Sequence, residues 1–372
     1  MKRHKKLIIV GAGAAGTGIG ILLEKLNFHD YIILERDEIG ASFRQWPKEM
    51  RFITPSFTGQ GFGALDLNAL TPGTSPAYTF RKEHLSGDEY ADFLALLVDH
   101  FKINVQTETA VETVTKENGQ FKLETPTDTW TSEAVVWATG EFQFANTGRI
   151  HGDEHGVHVG EITSYDELEK GKYVVIGGGE SGMDAAYHLA LAGNEVTVVL
   201  DSSAKDVEAD PSKTLSPYTF ERMQKAVLTG RVTFKEQRLA ERIKEERSGY
   251  TVKLDNGEHI ETSFPPILAT GFHSGATQIK SLFEWQPNGK PYVTEEADES
   301  TITEGLYLTG PSVQHESAVF CFIYKFRARF AVVVNHLFNK WGMEMDEGVF
   351  EDYMTNQMVV EDVTCCEVSC EC

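Results

Sequence analysis

The stretch Lys6-Leu7-Ile8-Ile9-Val10-Gly11-Ala12-Gly13-Ala14-Ala15-Gly16 decides the fold. A short apolar run, mostly β-branched, leads straight into glycine. That pattern reads as a strand of a parallel sheet buried on both faces. The run 14–26 reads as a helix, and Tyr31–Leu34 as a second strand ending at Glu35. Gly11 permits a tight turn, Gly13 lets backbone approach a pyrophosphate, and Gly16 lets helix and strand pack closely. The helix start at Ala14 and Ala15 offers free N–H groups and a positive dipole end to phosphates. Glu35, 24 residues after Gly11, is spaced to accept hydrogen bonds from ribose hydroxyls.

The construction recurs further along. A strand over 173–176 runs into Gly177-Gly178-Gly179-Glu180-Ser181-Gly182, a helix is expected over 183–192, and a strand over 195–200 ends at Asp201. Ser181 is not the nucleophile of a Gly-x-Ser-x-Gly elbow, because Met183 stands where the last glycine belongs. The acid at Asp201 disfavours a 2′-phosphate and points to NADH, with Lys205 close enough to keep NADPH open. Between and after the two turns, strands are expected over 104–115, 121–124, 133–138, 266–269 and 305–309, and helices over 88–100 and 317–340. Residues 39–87 read as loop. Ala138-Thr139-Gly140 and Ala269-Thr270-Gly271 end two of the strands alike, and Gly310 ends the last. The fold class is α/β with two Rossmann-like dinucleotide-binding domains. Two such turns in one chain imply two dinucleotides, commonly FAD and a nicotinamide.

Composition narrows the partners. The 372 residues carry 34 Lys plus Arg against 56 Asp plus Glu, a formal net charge of −22. Nucleic acid and anionic membrane surfaces are polyanions that this surface repels. The apolar runs are too short to span a bilayer, which takes about 20 residues. The basic start Met1–Lys6 imitates a secretory leader, but its apolar part is short and runs into glycines. A cytoplasmic enzyme acting on a small molecule is expected, with a homodimer as the default assembly.

The two-turn arrangement resembles the two-dinucleotide flavoproteins, namely flavin-containing monooxygenases and low-molecular-weight thioredoxin reductases. The resemblance covers residues 6–340. It implies that the first turn binds FAD and the second NADH or NADPH, with the NAD(P)-binding domain inserted into the FAD-binding domain. The domains are then 1–160 (FAD, first part), 161–264 (NAD(P)), 265–345 (FAD, second part) and 346–372 (an acidic tail). Glu35-Arg36-Asp37-Glu38-Ile39-Gly40-Ala41-Ser42-Phe43 resembles a monooxygenase segment of an acid followed by Gly-Gly-Thr-Trp, with Phe43 at the Trp position and Trp46 nearby. The resemblance thereby adds Arg36, Ser42, Phe43, Trp46 and Val111 to the FAD residues. Val157-His158-Val159-Gly160-Glu161 resembles the monooxygenase His-Ser-x-x-Tyr fingerprint but keeps only the histidine. Pro311 replaces the family's ribitol-binding Asp.

Ala209-Asp210-Pro211-Ser212, Leu215-Ser216-Pro217-Tyr218, Lys325-Phe326-Arg327-Ala328-Arg329 and the cysteine ending resemble bacterial monooxygenase-type flavoproteins associated with cation efflux. The thioredoxin reductase branch carries a Cys-x-x-Cys pair in its nicotinamide domain. None occurs between residues 161 and 261. Bacillithiol-disulfide reductase-like proteins place a Cys in the first glycine turn, where Ala15 stands here.

Of five cysteines, Cys365, Cys366, Cys370 and Cys372 crowd the last eight residues. Four thiols at that spacing can wrap a soft metal such as Cu(I), Zn(II), Cd(II) or Hg(II), or serve as a redox tail. Mercuric reductase resembles this, with C-terminal cysteines that hand metal to the active site. Three readings follow: a monooxygenase, a thiol, disulfide or metal reductase using the tail, and a non-enzymatic flavin- and metal-binding accessory protein. Three lesser candidates remain. His151, His155 and His158 read as a solvated linker rather than metal ligands. Cys321, on an apolar run, reads as a buried structural thiol. Gln314, His315 and Glu316 read as a helix N-terminus near a flavin.

Overall fold

The computed structural model describes residues 2–59, 64–148, 150–201, 214–316 and 318–363. The four tail cysteines, Lys205 and Ala209–Ser212 lie outside the described residues. The chain divides into two compact units. The first takes described residues of 1–44, 54–141 and 273–363, and the second takes 45–53 and 142–272.

The first unit is built on a five-stranded sheet. Its strands lie in the order Leu306–Leu308, Ala134–Trp137, Leu7–Val10, Tyr31–Leu34 and Val105–Gln106. All neighbours are parallel, with Leu7 opposite both Tyr31 and Ala134. The sequences LIIV, YIIL and AVVW are buried along their whole length, as strands covered on both faces must be. The helices Ala14–Lys25 and Phe330–Lys340 pack against each other on this sheet. Gly18 is needed there, since a Cβ would lie 2.0 Å from the Phe330 ring. A second sheet of four strands runs Lys2–His4, Thr129–Ser132, Gln120–Glu124 and Thr113–Glu117.

The second unit repeats the plan. Its parallel sheet has the order Val232–Glu236, Glu195–Leu200, Lys172–Ile176, Ile267–Leu268 and Val157–His158. A three-stranded antiparallel sheet, Ala240–Glu246, Gly249–Leu254 and His259–Thr262, covers one face through Ile243, Val252 and Leu254. The unit is wider than the 161–264 segment read from sequence. Val157–His158 adds an edge strand, and residues 45–53 dock on it. The Glu49 carboxylate accepts from Ser164 Oγ at 2.5 Å and from the Tyr165 and Asp166 amides at 2.9 and 3.3 Å.

Four expected elements differ. The loop 39–87 contains short helices at Ala41–Arg44 and Pro76–Phe80 and takes in the start of the long helix Gly87–Phe101. The expected strand 104–115 is two strands, Val105–Gln106 and Thr113–Glu117, in different sheets. The expected helix 317–340 begins instead as a hairpin. Gln314–His315 pairs with Ala318–Val319 across a turn where Glu316 has φ +45°, and helix starts only at Ile323. The reason is that Phe320 donates back to the Val313 carbonyl at 3.2 Å, closing the hairpin, and Phe322 is extended at the helix cap. Finally, residues 346–363 are not a free tail. Asp346 caps a helix over Glu347–Thr355, Tyr353 Oη donates to Thr71 Oγ1 at 3.0 Å, and Met358 is buried.

Candidate functional site

Each unit carries one glycine turn at the carboxyl end of its sheet's central strand, where open α/β sheets bind ligands. In the first, Gly11 has φ +105°, and a Cβ on it would lie 2.6 Å from the Ala138 carbonyl oxygen. A Cβ on Gly16 would lie 1.9 Å from the Gly11 oxygen. Only glycine fits either place. Gly13 differs: a Cβ there would meet nothing within 4 Å. Gly13 is the N-cap of helix Ala14–Lys25, extended at φ −77° and ψ −168°, and no side chain caps it.

The second turn has the same geometry in the other unit. Gly177 has φ +118° and faces the Ala269 oxygen at 2.2 Å from its would-be Cβ. Gly182 faces the Gly177 oxygen at 2.0 Å, and Gly179 faces open space. Gly179 caps helix Glu180–Leu191 at φ −80° and ψ −171°, again with no side-chain cap. The hydrogen bonds also match. Gly11 N donates to Leu34 O and Gly177 N to Val199 O, both at 2.9 Å. Ala138 N donates to Val10 O at 2.9 Å and Ala269 N to Ile176 O at 2.8 Å. Two helix starts thus keep open N–H groups beside empty space, as a dinucleotide pyrophosphate requires. The residues present fit a dinucleotide at each turn.

The remaining sequence-named residues gather by unit. In the first, Glu35 Oε2 accepts from Ala12 N at 2.7 Å and Oε1 from Asp37 N at 2.9 Å. Arg36 is exposed and pairs with Asp37. Ser42 and Phe43 lie on helix Ala41–Arg44, with the Phe43 ring edge-on to Tyr90 at 4.9 Å. Val111 is half-buried two residues beyond Thr109, whose amide donates to Glu35 O at 2.8 Å. Ala15 touches Gly310, at 3.4 Å from its would-be Cβ. Ala138 is buried, while Thr139 and Gly140 are half-buried, and the Gly140 carbonyl accepts from Gly275 N at 2.8 Å.

Trp46 belongs to the second unit, packed on Phe52 and Phe142 at ring distances of 4.9 and 6.3 Å. There Thr270 Oγ1 donates to the Asn146 carbonyl and Gly271 O accepts from Asn146 N at 3.0 Å. Ser181 is half-buried, and Asp201 is exposed at the end of its strand. Glu180 is engaged by Ser216, whose amide and Oγ both donate to it, the latter at 3.3 Å.

Several lesser candidates resolve into structure. His158 is buried: Nε2–H donates to Gly271 O at 2.9 Å and Nδ1 accepts from Gly160 N at 3.1 Å. Burial holds its pKa below the ordinary histidine value, against a smaller opposing pull from Gly271 and Glu161. No cluster of three or more His, Cys, Asp or Glu that could hold a metal occurs among the described residues. His315 does not start a helix. Its Nε2 meets Asp298 Oδ1 at 2.7 Å, and Arg329 donates to both Asp298 oxygens at 3.0–3.2 Å, all three being buried. Cys321 is half-buried rather than buried. Among the described residues no helix is long and apolar enough to cross a membrane.

Sequence reasoning missed the charged groups on the dinucleotide helix of the second unit. Asp184 Oδ1 accepts from Arg222 Nη2 on helix Pro217–Leu228, and the same nitrogen lies 2.8 Å from His188 Nε2. The spacing of Asp184 and His188, four apart, was a helical-face signal. Arg222 lay 38 residues away with nothing local to mark it.

The comparisons agree with this geometry. The profile of the pyridine nucleotide-disulphide oxidoreductase family matches residues 8–310, so the chain belongs to that family. An uncharacterized CzcO-like oxidoreductase of Geobacillus kaustophilus is 28% identical over 196 residues, 51% of this chain and 53% of that protein. The chain thus spans about half the length of these curated relatives. Among solved structures, the bacillithiol disulfide reductase Bdr of Staphylococcus aureus superposes with a TM-score of 0.74 at 21% identity, covering 91% of this chain and 99% of that one. A flavin-containing monooxygenase from Stenotrophomonas maltophilia does so at 0.72 and 16%, with the same coverage. At those identities the likeness is one of fold.

Proposed function

We propose that this member of the pyridine nucleotide-disulphide oxidoreductase family is an FAD-dependent NAD(P)H oxidoreductase of the flavin-containing monooxygenase type. It reduces FAD with NAD(P)H and passes the electrons to dioxygen and a small substrate. The observation that carries the reading is the pair of matching glycine turns, each with an uncapped helix start facing open space. When bound, the two cofactors supply the redox chemistry: NAD(P)H, a proton, dioxygen and substrate yield NAD(P)+, water and the oxygenated substrate.

The chain's own part is binding and orientation. Amides of the first turn hold the FAD pyrophosphate and Glu35 the ribose. Amides of the second turn hold the NAD(P)H pyrophosphate, and Asp201 favours a free 2′-hydroxyl, hence NADH. The oxygenase reading is preferred over disulfide reduction because the body lacks a dithiol: Cys321 is its single cysteine, and Ala15 stands in the first turn. The protein is read as cytoplasmic and homodimeric.

The crowded thiols Cys365, Cys366, Cys370 and Cys372 support a second reading, a thiol, disulfide or metal reductase in which the tail binds a soft metal or shuttles electrons. One experiment separates the two. The FAD-loaded protein is reduced with NADH, then NADPH, under nitrogen; air is admitted and the flavin spectrum is followed. A lag before the oxidised spectrum returns supports the oxygenase. Immediate return supports the reductase, and absence of reduction by either nucleotide leaves the accessory-protein role.

A further inference from the structure

The two glycine turns differ at three positions, with Gly178 for Ala12, Glu180 for Ala14 and Ser181 for Ala15, and only one of these adds a charge. Where the first has Ala14 after its capping glycine, the second has Glu180. A carboxylate on the first residue of that helix stands next to the place where a pyrophosphate belongs, and two anions there repel. The structure shows where the charge goes. Glu180 turns to Ser216, taking hydrogen bonds from its amide and its Oγ, the latter at 3.3 Å. Ser216 is itself the N-cap of helix Pro217–Leu228, with Thr219 N donating to its Oγ at 3.2 Å. The acid is therefore held by the positive end of a neighbouring helix instead of facing the turn.

That helix is fastened one turn deeper. Arg222, buried, donates to Asp184 on the dinucleotide helix, shares the same nitrogen with His188 at 2.8 Å, and lies between the Tyr187 and Tyr218 rings at 4.5 and 4.8 Å. Asp184 and Glu180 are four residues apart on the same helix. The Asp184–Arg222 pair thus fixes the register in which Ser216 meets Glu180.

We propose that Arg222 is a positioning residue for dinucleotide binding. By holding helix Pro217–Leu228 in register, it keeps the Glu180 carboxylate turned away from the phosphates at the second glycine turn. This rests on the reading that the second turn binds NAD(P)H. Without Arg222 the Ser216 contact is lost and Glu180 is free to face the pyrophosphate.

The test uses the full FAD-loaded chain and titrates NAD+ and NADP+ calorimetrically, so no turnover is needed. Arg222→Met is expected to weaken the better-bound nucleotide about tenfold, the scale of one added like charge at a partly solvated site, with FAD content unchanged. Glu180→Gln in the Arg222→Met background is expected to restore affinity to within about threefold, because it removes the repelling charge. A merely structural role for Arg222 predicts no rescue. Unchanged affinity in Arg222→Met, or weakened affinity that Glu180→Gln leaves weak, overturns the proposal. Should Arg222→Met fail to fold, Arg222→Lys, which keeps the charge but loses the planar fork, is measured with the same rescue. Failure of the unaltered protein to bind either nucleotide strikes instead at the NAD(P)H reading beneath it.

Discussion

Glu35 Oε2 accepts the Ala12 amide proton at 2.7 Å, so the acid that ends one strand also fastens the glycine turn leaving the next. Ala12 is fully buried, so removing this carboxylate takes a buried N–H's partner away. Glu35→Ala therefore removes a proposed ribose ligand and orphans a buried donor, which costs about 1–3 kcal/mol. The purified variant is expected to retain little FAD, read as the ratio of flavin to protein absorbance. Glu35→Gln, which keeps an acceptor, is expected to retain more.

The glycines separate packing from binding. Gly16→Ala and Gly182→Ala drive a Cβ to within 1.9 and 2.0 Å of backbone oxygens and are expected to destabilise by about 1–3 kcal/mol or more. Gly13→Ala and Gly179→Ala meet no atom of the chain and are expected to leave thermal stability within about 0.5 kcal/mol. Under the proposed function their effect falls on ligands: Gly13→Ala is expected to lose FAD, and Gly179→Ala to keep FAD and lose NAD(P)H affinity. Melting curves with flavin content and nucleotide titration check all four.

His158 sets a pH dependence. Its folded pKa lies below the ordinary 6.5, because burial disfavours the imidazolium and Nδ1 is already an acceptor from Gly160 N. The unfolded chain then binds the extra proton first. Its stabilising contribution is complete above about pH 6.5 and is lost as pH falls from there toward the folded pKa. Urea unfolding between pH 7.5 and 5 is expected to show a decline that is shallower in His158→Gln.

Arg329 anchors the C-terminal segment. It donates to the buried Asp298 carboxylate and to the Val360 carbonyl at 2.5 Å, while Val360 N donates to Ala328 O at 3.0 Å. Arg329→Met leaves Asp298 buried with His315 alone, a loss of about 3–5 kcal/mol. The expected signs are a lowered melting temperature and faster proteolysis after Thr355.

Deleting residues 365–372 tests the tail. Under the oxygenase reading, NAD(P)H oxidation and substrate turnover are unchanged, and only soft-metal binding, read by equilibrium dialysis with Cd(II), disappears. Loss of turnover moves the conclusion to the reductase reading.

The sequence by itself determined the two strand–turn–helix units, because their information is local. A β-branched run entering Gly11 or Gly177, a glycine at the helix start and an acid 24 residues on leave the backbone few alternatives. It did not determine what fills the turns' surroundings. The Ala318–Tyr324 run, apolar at every position, carries no period to tell helix from hairpin, and pairing with Gln314–His315 decided it. Residues 346–363 read as acidic and tail-like, yet Tyr353 and Met358 found burial sites far along the chain. The fate of the Glu180 charge likewise depended on Ser216 and Arg222, 36 and 42 residues away. Only the packing of one helix on another brings such groups within hydrogen-bonding distance, and no spacing in a single sequence encodes it.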